Sequence, residues 1–181
     1  MIIGISGKIG SGKSTVSEIF QQNGFYLDSF AKSIKDISHC IFGFDRTKLD
    51  GLTQEDRLWR ETPDEKYSIM LKKPFSPRES LLLIGTSFGR NLIHNDIWIE
   101  TVFNRFNMGN NKNLVITDVR FPNEYDSVKK NNGIVIRLER ECSIKSDHPS
   151  ECALDDYEFD YVIDNNGTID ELITKVNNII Q

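Results

Sequence analysis

The stretch Gly7-Lys8-Ile9-Gly10-Ser11-Gly12-Lys13-Ser14 constrains the fold more than any other part of the chain. Its spacing is G-x-x-x-x-G-K-[ST]. It follows Ile2-Ile3-Gly4-Ile5, an apolar run that reads as a short buried strand. Val16, Ile19 and Phe20 come next and recur at helical spacing. Strand, glycine loop and helix in that order make an anion cradle. The glycines let backbone N–H groups curl around a phosphate without Cβ clashes, and the helix start adds partial positive charge. In this setting Lys13 reaches the β- and γ-phosphates of a nucleoside triphosphate, and Ser14 is placed to ligate Mg²⁺. The competing reading, a glycine turn without a ligand, gives no reason for the loop to sit between the first strand and the first helix. Gly7, Ile9, Gly10, Ser11, Gly12, Lys13, Ser14 and Thr15 are therefore the expected donor-phosphate residues, with ATP or GTP as donor.

The rest of the chain repeats the strand-then-helix alternation. A helix should run from the loop to about residue 22 and end at Asn23-Gly24, with a short strand over 25–28 and a helix over 30–42. Residues 43–77 are polar and mixed, punctuated by Pro63, Pro74 and Pro77. Residues 78–107 read as helices broken near 85–89 and 95–96, followed by a turn at Asn110-Asn111. Strands are expected over 114–118, 134–138 and 161–164, with a helix over 122–131. A final amphipathic helix carries Ile169, Leu172, Ile173, Val176, Ile179 and Ile180. Such alternation implies a parallel sheet with right-handed crossovers, whose ligands gather at the carboxyl ends of the strands. The polar strand ends are the loop at 7–14, Asp28, Asp118 with Arg120, and Arg140.

Charge narrows the partners. The net charge is −5, and residues 141–181 hold ten acidic side chains against two basic ones. An acidic end of this kind repels a nucleic-acid polymer, and no basic stripe offsets it. The positive charge elsewhere suits small phosphorylated ligands. No apolar run reaches transmembrane length, and Met1 leads straight into the first strand, so neither a membrane span nor a signal peptide is expected. Cys40, Cys142 and Cys152 are odd in number and lack C-x-x-C spacing, which argues against a disulfide framework or a zinc site and fits a reducing compartment.

Phosphoryl transfer needs fixed cations around the moving group. Asp118 closes an apolar strand and is the expected Mg²⁺ carboxylate, although an aspartate there also suits a turn or helix cap. Arg120 lies two residues on and would share its cleft. Lys35, Arg78, Arg90, Arg137 and Arg140 fall in segments from which acceptor and lid residues could converge. A single arginine of this sort is more often a surface ion pair, so the expectation rests on their number. Trp59, Phe88 and Trp98 could stack a base or could be core. Asp147, His148 and Pro149 also read as a plain helix start.

At this point the chain resembles a known family. FAKSIKD (30–36), PRESLLLIGTSFGR (77–90), DIWIE (96–100), VITDVRFPNE (115–124), IRLER (136–140) and HPSE (148–151) look like deoxynucleoside monophosphate kinases of the phage and giant-virus type, and DYVIDNNGTIDEL (160–172) extends the likeness. The resemblance covers most of the chain and is weakest over 43–76. It implies an α/β, three-layer P-loop NTPase fold with a five-stranded parallel sheet of order 2-3-1-4-5. One domain would span 1–181, with a helical acceptor-binding part over 43–107 and a short lid near 140–150. It implies transfer of the γ-phosphoryl of ATP, with Mg²⁺, to a deoxynucleoside 5′-monophosphate in the cytoplasm, or a host's cytoplasm for a viral protein. Carried over by position, Lys13, Asp118, Arg120 and Arg140 would be catalytic, with Ser14 and Asp118 on the metal. Lys35, Arg78, Arg90, Trp98 and Arg120 would hold the acceptor. The chain departs from the pattern at Leu82, where family members often carry Gln.

Two relatives compete. GKIGSGKSTV also resembles the start of dephospho-CoA kinase, and SECALDDYEFDYVIDNNG resembles animal-type phosphomevalonate kinase. A nucleotide-binding regulator without transferase activity is the alternative from another class; the retained Lys13, Ser14, Asp118 and arginines argue against it. Small nucleotides are the expected partners, and the sequence leaves open whether two copies pair as a homodimer.

Overall fold

The computed structural model describes residues 1–109, 111–141 and 152–180. Its strands are β1 (Ile2–Gly7), β2 (Tyr26–Asp28), β3 (Leu114–Ile116), β4 (Ile134–Glu139) and β5 (Tyr161–Asp164). They form an all-parallel sheet in the order β2-β3-β1-β4-β5. The helices are α1 (Lys13–Gln22), α2 (Ala31–Phe42), α3 (Gln54–Glu61), α4 (Glu65–Leu71), α5 (Pro77–Leu82), α6 (Ile97–Met108), α7 (Pro122–Lys130) and α8 (Ile169–Ile180). The expected elements are present; β2 lacks Phe25, whose N–H donates to Phe20 O at 3.1 Å, and β3 ends before the turn at 117–118.

Contacts divide the chain into two compact units, residues 1–29 with 102–181, and residues 30–101. In the first unit the sheet buries both faces. Ile3, Ile5, Ile136, Leu138 and Ile163 pack on Val16 and Phe20 of α1 and Leu172 and Val176 of α8. On the opposite face Gly4 lies against Val119 and against Val128 of α7. Alternation along β1 thus sends Ile3 and Ile5 to one layer and Gly4 to the other, as a two-sided parallel sheet requires.

The second unit starts at Phe30, earlier than the acceptor part expected at 43. The reason is α2. Its Ser38 hydroxyl hydrogen-bonds Ser80 of α5 at 2.6 Å, and its Ile34 packs on Gly85. Residues 43–77, which read as mixed, hold α3 and α4 and lead into α5, each with a local start signal. Thr53 and Asp56 form a capping box for α3, Asp64 caps α4 through Tyr67 N–H, and Ser76 with Glu79 caps α5 ahead of Pro77. Phe44, Leu49 and Phe75 form a small core of their own, covered by Phe42, Trp59 and Tyr67.

The break expected near 85–89 is instead a wide π-helical winding over Leu83–Ile93, in which His94 N–H donates to Gly89 O at 3.0 Å, five residues back. Windings of this kind gather at functional sites. Trp98 explains this one. Its indole N–H donates to Gly85 O at 2.8 Å, and its ring lies where a Cβ on Gly89 would stand.

Candidate functional site: an anion-binding loop with strand-end cations

The loop between β1 and α1 is shaped by glycine. Gly7, Gly10 and Gly12 all have positive φ, and Gly12, at +98°, turns the chain directly into α1. No side chain caps that helix and its first turn holds no acidic residue. The leading N–H groups therefore lack the usual side-chain acceptor, which is the arrangement an anion completes. Ser11 Oγ adds to this: Ser11 is 1% exposed, and its hydroxyl finds no partner among the described residues. A buried unpaired hydroxyl is costly unless a ligand or water meets it. The Lys13 ammonium folds over the loop, donating to Gly7 O at 2.5 Å and Lys8 O at 2.8 Å, so its charge sits at the mouth of the cradle. Ser14 lies on the first turn of α1.

β3 delivers the next groups. Thr117 N–H donates to Asp28 O and Val119 N–H to Ile5 O, each at 3.0 Å, which lays the Asp118 turn beside the end of β1. Asp118 and Arg120 are both half-buried there. The loop beyond is tied down by Glu124, 3% exposed, whose carboxylate accepts Arg120 N–H at 2.8 Å and Phe121 N–H at 3.1 Å. Arg140 is exposed at the end of β4 and, with Lys8, lines a cavity of about 690 Å³ that also touches Ser11, Tyr157 and Phe159. The rest of the expected lid, with His148 and Glu151, and also Asn110, lies outside the described residues.

Several polar residues serve the frame. Asp28, a strand-end candidate, accepts Arg105 Nε at 2.8 Å and Arg105 Nη2 at 2.7 Å, a bidentate pair with the carboxylate fully buried. Arg137 is 8% exposed, donates to Asp155 at 2.6 Å and to Ser6 Oγ at 3.2 Å, and lies over the Phe159 ring. Its guanidinium is thus already engaged at the end of β1, although it also lines the cavity with Lys8 and Arg140.

In the second unit, Lys35 donates to Asp50 at 2.8 Å, inside a network with Arg46 and Asp36. Burial raises the Asp50 carboxyl, but the hydrogen bond and charge of Lys35, then those of Arg46, outweigh it and hold the group below its ordinary range. Lys35 thus already has an anionic partner. Trp98 corrects the expectation more sharply. At 4% exposure, with its indole N–H on Gly85 and its ring against Gly89, it is core and offers no face to a base. Trp59 likewise packs edge-on against Phe44, whereas Phe88 is exposed. Arg78 and Arg90 are half-buried, and Arg78 has no hydrogen bond or ion pair to another described residue. Leu82, the departure from the family pattern, is 45% exposed.

A parallel sheet of this order, with a G-x-x-x-x-G-K-S loop leaving its central strand and an acidic turn on the neighbouring one, defines a P-loop nucleotide-binding fold of the kinase type. A family model described as deoxynucleotide monophosphate kinase matches residues 55–176, and the chain belongs to that family. A protein of Acanthamoeba polyphaga mimivirus named for deoxynucleotide monophosphate kinase is 32% identical over 190 residues, covering 97% of this chain and 94% of that one. The deoxynucleoside-5′-monophosphate kinase of Escherichia phage T5 is 37% identical over 99 residues, covering 50% of this chain and 38% of its own. Among solved structures, dephospho-CoA kinase from Campylobacter jejuni aligns over 99% of this chain and 95% of that chain, with TM-score 0.48 and 17% identity.

Asn165 was missed in the sequence. It stands at the carboxyl end of β5 and donates to Ser11 O at 2.9 Å. The strand-end rule, applied to β5 as to the other strands, would have found it.

Proposed function

We propose that the protein transfers the γ-phosphoryl group of ATP to a deoxynucleoside 5′-monophosphate, giving the diphosphate and ADP. The observation that carries this reading is the family match over 55–176, the stretch that holds Arg78, Arg90, Asp118, Arg120 and Arg140. That match favours a deoxynucleotide acceptor over dephospho-CoA or phosphomevalonate, and a regulator without transferase activity would not need this set of cations.

The loop and Lys13 bind the donor phosphates, and Lys13 neutralises charge on the group that moves. Arg78 and Arg90 bind the acceptor phosphate; a half-buried guanidinium such as Arg78, with no partner among the described residues, is suited to a dianion. Lys35 takes part only by exchanging Asp50 for the acceptor phosphate. Arg120 and Arg140 stabilise the transferred group, whose charge spreads over three oxygens.

Among the described residues no group of three or more His, Cys, Asp or Glu could hold a metal ion. Ser14 and Asp118 are few ligands, which suits Mg²⁺, an ion that keeps several waters and leans on substrate phosphates. When bound, Mg²⁺ would neutralise charge on the donor phosphates. Among the described residues no helix is long and apolar enough to cross a membrane.

A coupled ADP-release assay tests the reading, with ATP, Mg²⁺ and a panel of deoxy- and ribonucleoside monophosphates, phosphomevalonate and dephospho-CoA. Turnover of at least one deoxynucleoside monophosphate is expected. Turnover of phosphomevalonate or dephospho-CoA alone, or of nothing, would overturn it.

A further inference from the structure

We infer that Asn165 is a positioning residue for phosphoryl transfer, a strut that fixes the donor loop from the far edge of the sheet. The inference rests on the reading above. A loop with three glycines at positive φ is loose by composition, and its N–H groups bind an anion well only if something else fixes it. Lys13 grips the loop's entry, at Gly7 and Lys8. Its exit at Ser11-Gly12 is gripped from β5. Asn165 Nδ2 donates to Ser11 O at 2.9 Å and lies where a Cβ on Gly12 would stand, so the amide both bonds the loop and covers its glycine.

The strut is itself anchored. Asn165 N–H donates to Glu139 O at 2.7 Å, at the end of β4. Asn166 Nδ2 donates to Asp164 Oδ1 at 2.6 Å, and Lys175 of α8 donates to Asp164 O at 2.6 Å. Asn166 Oδ1 in turn accepts Glu141 N–H at 2.9 Å. Adjacent asparagines therefore hold the exit of the phosphate loop and the chain just past Arg140. A Ser11 carbonyl turned toward Asn165 leaves the loop's N–H groups to face the phosphates.

Asn165→Ala removes the strut, and Asn165→Leu keeps its branched shape without donor or charge. ADP binding is measured calorimetrically without acceptor, alongside steady-state kinetics and thermal melting. Both variants should bind ADP roughly three- to tenfold more weakly, the loss of one hydrogen bond, with ATP KM raised in step. Acceptor KM at saturating ATP and the melting temperature should stay near wild type. Wild-type ADP affinity in a folded variant overturns the inference, as does a loss shared equally by donor, acceptor and melting temperature. If the Asn165→Ala protein does not fold, the Asn165→Leu variant decides by the same measures; if neither folds, the residue is structural and the inference fails. Should the wild type phosphorylate no deoxynucleotide, the functional reading falls while the ADP comparison still judges Asn165.

Discussion

The buried carboxylate of Glu124 accepts the backbone N–H of Arg120 at 2.8 Å, so the arginine assigned to the moving phosphoryl hangs from a loop that a residue one helical turn later holds in place. Glu124→Gln keeps the size but replaces a charged acceptor with a neutral one. Hydrogen bonds to charged groups contribute about 1.5–3 kcal/mol against roughly 1 for neutral pairs. The expected outcome is a fall in kcat of about tenfold with ATP KM near wild type, read by steady-state kinetics. Unchanged kcat would mean that Arg120 keeps its place without the buried charge.

Asp118→Asn should move the Mg²⁺ dependence of the initial rate to higher concentration by about tenfold or more, while metal-free ADP binding changes little. In the proposed site the carboxylate is one of very few protein ligands for the ion, so its charge should matter most at low Mg²⁺. Superimposable Mg²⁺ titrations would reduce Asp118 to a turn residue.

Arg78→Ala and Arg90→Ala should raise acceptor KM and lower kcat/KM by roughly ten- to a hundredfold, the loss of a hydrogen bond between charged partners. ADP affinity should be preserved in both. The assignment fails if the variants lose ADP binding and keep acceptor affinity.

Arg105→Ala leaves the fully buried Asp28 carboxylate without its bidentate partner. Breaking one side of a buried pair costs about 3–5 kcal/mol, visible as a lower urea midpoint. Adding Asp28→Asn should restore part of the loss, since no uncompensated charge then remains. Additive losses in the double variant would contradict the pairing.

The Asp50 carboxyl, held below its ordinary range by Lys35 and Arg46 against the effect of burial, takes up its proton at lower pH when folded than when unfolded. Its contribution to stability is therefore complete above the unfolded value of about 4, and is lost as pH falls through the folded value. Asp50→Asn should flatten part of the acid limb of stability below about pH 4. Only part is expected to flatten, because Asp36 and Asp160 are lowered too. Urea denaturation across that range gives the comparison, and parallel acid limbs would rule the contribution out.

The sheet and the donor loop were legible because their signals are local: apolar runs of strand length, glycines at fixed offsets, and a helical repeat behind them. The position of Asp118 and Arg120 just past β3 was legible for the same reason, since the rule that points to strand ends needs only the strands. What escaped was set by partners distant in sequence. Nothing near Asp28 announces Arg105, and nothing near Lys35 announces Asp50. Trp98 misled because aromatic type does not tell a stacking face from a buried wedge. The two glycines that receive it, Gly85 and Gly89, read as helix breakers when they were its seat. Asn165 was within reach, since it directly follows the strand expected over 161–164.

The wide winding from Leu83 to Ile93 makes the reading frame of that helix a functional quantity. Trp98 can seat itself only while Gly85 and Gly89 keep their present phase, and Arg90 follows Gly89 directly. Loss of a single residue between Leu83 and Gly89 would let the segment rewind as an ordinary α-helix, turning everything beyond it by about 100°. On most exposed helices such a deletion is absorbed by the next loop. Here it would unseat the tryptophan and swing the arginine away in one event. Natural or designed length changes should therefore not be tolerated within this stretch or between it and Trp98.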